Sequence, residues 1–134
     1  MKIERVHTDS PLLPALRNFV EKHALVFHSP EWLACYEGSG LVQCAMVNNN
    51  NEVIGCFLYY VFRKYGFQFV ITPPFTPSIE LFYLNPAASV VGKNSFTKDV
   101  MTELASYFDK LKAHFNNLHL PDGIVDAQPF VWRS

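Results

Sequence analysis

The chain has 134 residues, of which 49% are apolar, 15% aromatic and only 17% charged. One domain accounts for that length, and the apolar content excludes disorder and predicts a core that buries about two thirds of the unfolded surface. Eleven basic and twelve acidic side chains leave a formal charge of −1, and without a Lys/Arg run there is no footprint for nucleic acid or an anionic membrane.

Cys35, Cys44 and Cys56 form no C-x-x-C pair, and an odd count argues against a disulfide framework, so a reducing cytoplasm is the expected compartment. The N-terminal MKIERVHTDS mixes charges where a signal peptide needs an apolar stretch, and no apolar run approaches a membrane span.

In chain order, Ile3 and Val6 mark a short edge strand. Asp9-Ser10-Pro11 then offers a cap and an early proline for a helix from Pro11 to His23. Leu12, Leu16, Phe19 and Val20 recur every three or four residues, the stripe of an amphipathic helix laid on a core. Ser29-Pro30-Glu31 repeats the start signal for a short second helix, with Trp32 expected to anchor it on a sheet and Gly38 to end it in the left-handed conformation.

Leu41–Val47 and Val53–Phe62 read as a β-hairpin about the Asn48–Asn51 turn, and Lys64-Tyr65-Gly66 turns into a third strand, Phe67–Thr72. Pro73, Pro74 and Pro77 make 72–78 a stiff, partly extended loop. The stripe Phe96, Val100, Leu104, Phe108, Leu111 and Phe115 predicts a long helix over 97–116, followed by a short strand over 118–120. The order β-α-α-β-β-β-α-β predicts an α+β fold with an antiparallel three-strand meander in a mixed sheet flanked by helices.

The chemistry-bearing residues are sparse. The five histidines lack the i, i+4 spacing of a zinc site on a helix. Gly38-Ser39-Gly40 follows a helix and precedes a strand, the reverse of a nucleophile elbow, so it reads as a connector. A hairpin centred on the Asn run sets Cys44 and Cys56 nearly opposite each other, with Cβ atoms about 5 Å apart, but no basic neighbour activates either thiol. Arg63-Lys64-Tyr65-Gly66-Phe67-Gln68 has some likeness to an acetyltransferase pyrophosphate loop, yet Gln68 stands where Gly or Ala belongs and a strand follows in place of the helix that would bind an anion. Thr72–Pro77 forms either a strand-ending turn or a rigid wall presenting Phe75 to a ligand groove. Tyr59, Tyr60, Phe62, Tyr65, Phe67 and Phe69 cluster about the second turn and are expected in core or interface.

The run Phe27-His28-Ser29-Pro30-Glu31-Trp32-Leu33, the hairpin after it, Thr72-Pro73-Pro74-Phe75 and Pro129-Phe130-Val131-Trp132-Arg133 together resemble the N-terminal half of FemAB-like, GNAT-related bacterial transferases. The resemblance spans residues 1–134 and implies a GNAT-like domain, one half of a two-domain protein, with acyl or aminoacyl transfer to an amine in a cleft between the halves. Acyl-CoA or aminoacyl-tRNA is a donor only by that resemblance. Ala34, Cys35 and Tyr36 stand where aminoacyl-transferring members often carry lysine, and no catalytic or coenzyme-binding set is found here. Glu31, Tyr36 and Phe75 are the expected substrate-binding residues. Phe130 and Trp132 are expected to bury against a second half or another copy of the chain.

Overall fold

In the first helix the polar punctuation acts differently from the expectation. The computed structural model, which describes residues 1–121, begins helix α1 at Leu13 and ends it at Lys22. Leu12 stands at the cap position with no side-chain bond, because the Ser10 hydroxyl instead accepts the His7 N–H at 2.7 Å. Pro14 is tolerated within the first turn, where its missing N–H has no partner to lose. A single turn of 3-10 helix, Val26–His28, leads into α2, Pro30–Ala34. There Ser29 is the cap: its Oγ accepts the Trp32 N–H at 3.2 Å and donates to the Val26 carbonyl at 2.7 Å.

The exit from α2 needs two glycines. Gly38 has φ +79°, as expected for a residue that turns the chain out of a helix. Gly40 accepts the Val61 N–H at 2.9 Å, so close to the neighbouring strand that any Cβ would collide with the Val61 carbonyl.

Strand β1 (Lys2–Val6) pairs with β2 (Leu41–Val47), and β2 with β3 (Val53–Lys64), both antiparallel. Asn48 shapes the connecting turn by accepting the N–H groups of Asn50 and Glu52 on its Oδ1. The register places Met46 opposite Gly55 and Val47 opposite Val53, leaving Ile54 as the extra residue of a bulge. That residue corrects the cysteine expectation: Cys44 pairs with Phe57 and Cys56 with Ala45, so the two thiols point to opposite faces of the sheet.

After the Tyr65–Gly66 turn, β4 (Phe67–Ile71) returns against β3. Residues 72–81 then leave the strand line while β3 advances only from Tyr60 to Cys56, where β5 (Phe82–Tyr83) rejoins it. This two-residue strand was not expected. Helix α3 runs over Val90–Lys110, earlier at both ends than the expected 97–116. Its true cap is Ser89, accepting the Gly92 N–H at 3.0 Å, which Val90, Val91 and Gly92 disguise as poor helix formers. Lys112 adopts φ +50°, and Phe115–Asn117 forms β6, in place of the strand expected over 118–120, parallel to β4.

The sheet order is β1-β2-β3-β4-β6, with β5 on β3. Alternation along the strands divides the core in two. Val42, Cys44, Met46, Phe57, Tyr59 and Val70 meet Val100, Met101, Leu104 and Phe108 of α3. On the other face Ala45, Val47 and Cys56 receive Leu16, Phe19 and Val20 of α1. Phe130 and Trp132 lie outside the described residues. Among the described residues no helix is long and apolar enough to cross a membrane.

Candidate functional site

The second face of the sheet carries a hollow of about 370 Å³, walled by α1 and α2 and floored by the paired ends of β1 and β2. Helical spacing puts Leu13, Leu16 and Val20 on the side of α1 that faces it, while Leu33 of α2 and Leu41 of β2 complete an apolar lining. Arg17, one residue beyond Leu16, and Glu37, in the exit from α2, add opposite charges.

The polar part of the hollow is built around His28, which is 3% exposed. Its Nε2 lies 2.8 Å from the Glu80 carbonyl, and its Nδ1 lies 3.1 Å from Gln43 Nε2. A carbonyl only accepts, so Nε2 carries the proton and Nδ1 accepts from the Gln43 amide. Burial lowers the His28 pKa to about 4, against a smaller opposing effect of the Glu80 carbonyl. The ring is therefore neutral at physiological pH, with both nitrogens engaged.

Tyr36 links this hollow to the proline loop. Its side chain lines the hollow and its hydroxyl donates to the Pro74 carbonyl. Burial is the first cause of its raised pKa, which keeps the phenol protonated as that donor. Phe75, next to Pro74, is 90% exposed at φ +67°. A side chain of this size in the left-handed region carries strain on the order of 1 kcal/mol. The loop is fixed despite it: Thr72 N–H donates to the Asn117 carbonyl at 3.0 Å, and Thr72 Oγ1 accepts the His119 N–H at 2.7 Å. Ile79 then bridges the sheet, its carbonyl accepting Leu58 N–H at 2.7 Å and its N–H donating to the His119 carbonyl at 2.9 Å.

Of the three expected binding residues, the structure thus brings Tyr36 and the Phe75 loop together. Glu31 stands apart, exposed in the first turn of α2. Trp32 packs edge-on against Phe27 at 5.0 Å and Tyr36 at 6.0 Å, with its indole N–H buried and unpartnered among the described residues. Sequence reasoning missed Gln43, His28 and Glu80 as a group, because only the fold joins a strand, a 3-10 turn and a loop. Glu80 has φ +52°, accepts from the Ser78 hydroxyl at 3.1 Å and has its pKa raised, chiefly by burial. The local signal that existed was Ser78-Ile79-Glu80, a polar-flanked apolar residue directly after the prolines.

The two buried thiols, Cys44 and Cys56, offer no nucleophile, whereas Cys35 is exposed at the end of α2. Burial pushes Cys44 up to about 12 and raises Cys56 further, so both stay protonated. Cys44 donates to Tyr107 Oη at 3.3 Å, and Tyr107 and Tyr59 hydroxyls lie 2.8 Å apart under α3. Residues 63–68 form the β3–β4 turn and open no helix, so no anion cradle exists there. At the start of α3, Ser89 uses the Gly92 N–H, while Asn85 accepts from Ala87 N–H and donates to the Lys93 carbonyl.

Further along the same face, beyond α2, lies a ladder of aromatic rings. Phe62 stacks on Phe69 at 4.8 Å, and Phe69 on Phe115 at 4.9 Å. Phe67 meets Phe115 edge-on at 5.7 Å. Of the aromatic cluster expected in core or interface, Tyr59 is core, whereas Phe67 remains 47% exposed.

No family model matches the sequence, and no curated protein matches it. Among solved structures the chain is similar to the ribosomal-protein-alanine N-acetyltransferase from Brucella melitensis biovar Abortus 2308, with a TM-score of 0.52 and 10% identity over 99% of this chain and 90% of that one. A mutant of the BH1408 protein from Bacillus halodurans aligns with a TM-score of 0.42 and 13% identity, over 98% of this chain and 90% of that one. A tetramutant of the same protein aligns at 0.43 and 14% over the same shares. The first of these likenesses shows the fold: a GNAT-like mixed sheet flanked by helices.

Proposed function

We propose that this chain is an acyl- or aminoacyl-transferase-like domain of FemAB-like type, and that it supplies one wall of a substrate cleft completed by a second GNAT-like half. The observation that carries this reading is the GNAT-like fold. On it, the hollow beneath α1 and α2 and the Tyr36–Pro74 bond shape a wall, with Phe75 projecting beside it. Glu31, exposed on the same short helix, is available to a substrate or to the second half. This wall recognises more than it reacts: His28 is neutral with both nitrogens occupied, and Cys44 and Cys56 are held as thiols. The chain alone therefore binds without completing transfer.

The test is to incubate the full chain with acetyl-CoA and an amine acceptor, following thiol release and backbone amide shifts together. Shifts around Tyr36 and Phe75 without thiol release are expected. Catalytic turnover by the chain alone would overturn the half-site reading, and an unchanged spectrum would remove the cleft wall.

A second reading, a non-catalytic binding or dimerisation module, is favoured by the ladder, where Phe67 and Phe115 are about half exposed. Rings stacked across three strands form an apolar surface of the kind that marks an interface. Sedimentation equilibrium tests it: a monomer at every concentration, unchanged by Phe115→Ser, removes this reading.

A further inference from the structure

The hollow has a chemical polarity that follows from one carbonyl. Glu80 C=O can only accept, so His28 donates from Nε2 and accepts at Nδ1, and Gln43 must present its NH₂ group to that nitrogen. The Gln43 carboxamide is thereby oriented, and its Oε1 is left as a free acceptor: it is neither buried without a partner nor bonded to protein among the described residues. His28 is neutral and so places no positive charge beneath that oxygen. Glu37 adds a second acceptor to the lining and Arg17 a donor fork; neither has an ion-pair partner among the described residues. Leu13, Leu16, Val20, Leu33 and Leu41 give the lining its aliphatic part, and His7, Thr8, Tyr36 and Ser39 add further polar groups. The 370 Å³ available holds on the order of ten non-hydrogen atoms at about 30 Å³ each.

We propose that this hollow is a binding site for a small zwitterion with an aliphatic side chain, an apolar α-amino acid. The ammonium bonds to Gln43 Oε1 and faces Glu37, the carboxylate pairs with the Arg17 guanidinium, and the side chain packs among the leucines of α1, α2 and β2. A fatty carboxylate leaves Gln43 Oε1 and Glu37 without a donor, and an alkylamine leaves Arg17 without an anion. A site built from fixed polar groups discriminates most strongly against a ligand that lacks one of their partners. This inference rests on the reading of the hollow as a substrate wall, but its test needs no acyl donor.

The experiment is calorimetry on the full chain with L-leucine, 4-methylpentanoate and isopentylamine, each supported by amide-shift titration. Leucine is expected to bind saturably, with shifts at Val6, Arg17 and Gln43, and the two half-ligands to bind about tenfold weaker or worse. Arg17→Gln is expected to weaken leucine about tenfold while leaving isopentylamine unchanged. Gln43→Leu is expected to weaken leucine and isopentylamine together. Should Gln43→Leu fail to fold, the exposed Arg17→Gln carries the test. No saturable leucine binding by the folded chain, or 4-methylpentanoate binding as tightly as leucine, overturns the proposal. Leucine binding without any response to acetyl-CoA would instead separate this site from the transferase reading and leave the site standing.

Discussion

One face of the sheet is dressed in two ways. Beneath α1 the strands present Ala45, Val47 and Cys56, all 0–1% exposed; beyond α2 the same face presents Phe62, Phe69 and Phe115, stacked on one another. The difference follows from what lies above each half. Under α1 the strand side chains are small and the helix contributes the bulk through Leu16, Phe19 and Val20, whereas on the opposite face α3 covers the large Met46, Phe57 and Tyr59. Where no helix among the described residues lies above, the strands supply bulk themselves and large rings shield each other edge and face. On this face, then, the small strand residues lie under α1 and the large ones lie where rings cover one another.

This contrast can be broken most strongly under α1. Leu16 is 1% exposed, and Leu16→Ala is expected to cost about 3 kcal/mol, read as a lower denaturant midpoint with the slope unchanged. A loss below about 1 kcal/mol would mean that α1 is not the cover the packing implies.

Acid attacks the boundary between the two halves, where His28 joins the 3-10 turn to the loop after β4. Its pKa is about 4 in the fold against 6.5 for the ordinary group. The unfolded chain therefore takes up the proton first. The contribution of neutral His28 is full above about pH 6.5 and disappears as pH falls towards 4, a loss on the order of 3 kcal/mol. His28→Gln is expected to start less stable but to show a flatter stability profile over that window; an identical slope would assign the acid sensitivity elsewhere.

Over the ladder the expected effect is smaller. Phe69→Ala removes the central ring between Phe62 and Phe115, yet the site is partly open and water fills it, so about 1–2 kcal/mol is expected from thermal or urea unfolding. A loss as large as that of Leu16→Ala would show that the ladder is covered in solution. Smallest is Tyr36→Phe, which removes the hydroxyl bond to Pro74 and nothing else: about 1 kcal/mol or less, with faster amide exchange confined to 72–78.

How much of this was legible can be judged residue by residue. Ser29 as a cap, Gly38 as a left-handed exit, the hairpin of Leu41–Val47 with Val53–Phe62, whose second strand the structure carries on to Lys64, and the return strand after Gly66 all follow from local chemistry, because each signal acts within a few residues of its own position. The register did not follow. Ile54 as a bulge depends on Gly55 lying between Met46 and Tyr83, where a Cβ would meet the Phe82 carbonyl at 2.7 Å and Met46 Sδ at 3.0 Å, and no local pattern reports such a crossing. The end of α3 was misplaced for a related reason: Phe115 fits the helical stripe, but stacking on Phe69 across a parallel pair holds it in a strand. Of the candidate site, Tyr36 and Phe75 were named, while the Glu80–His28–Gln43 relay was invisible because its members are up to 52 positions apart.

By itself the sequence determined an α+β domain of low charge with the Ser29-capped start of its second helix, its meander and its stiff proline loop, since capping, turn and period signals are short-range. Tertiary structure alone decided which face each cysteine occupies, which rings remain uncovered, and that a carbonyl at Glu80 sets the proton on His28 and so the free oxygen on Gln43. Those outcomes depend on register and on contacts between distant segments, which a single extra residue in one strand is enough to reverse.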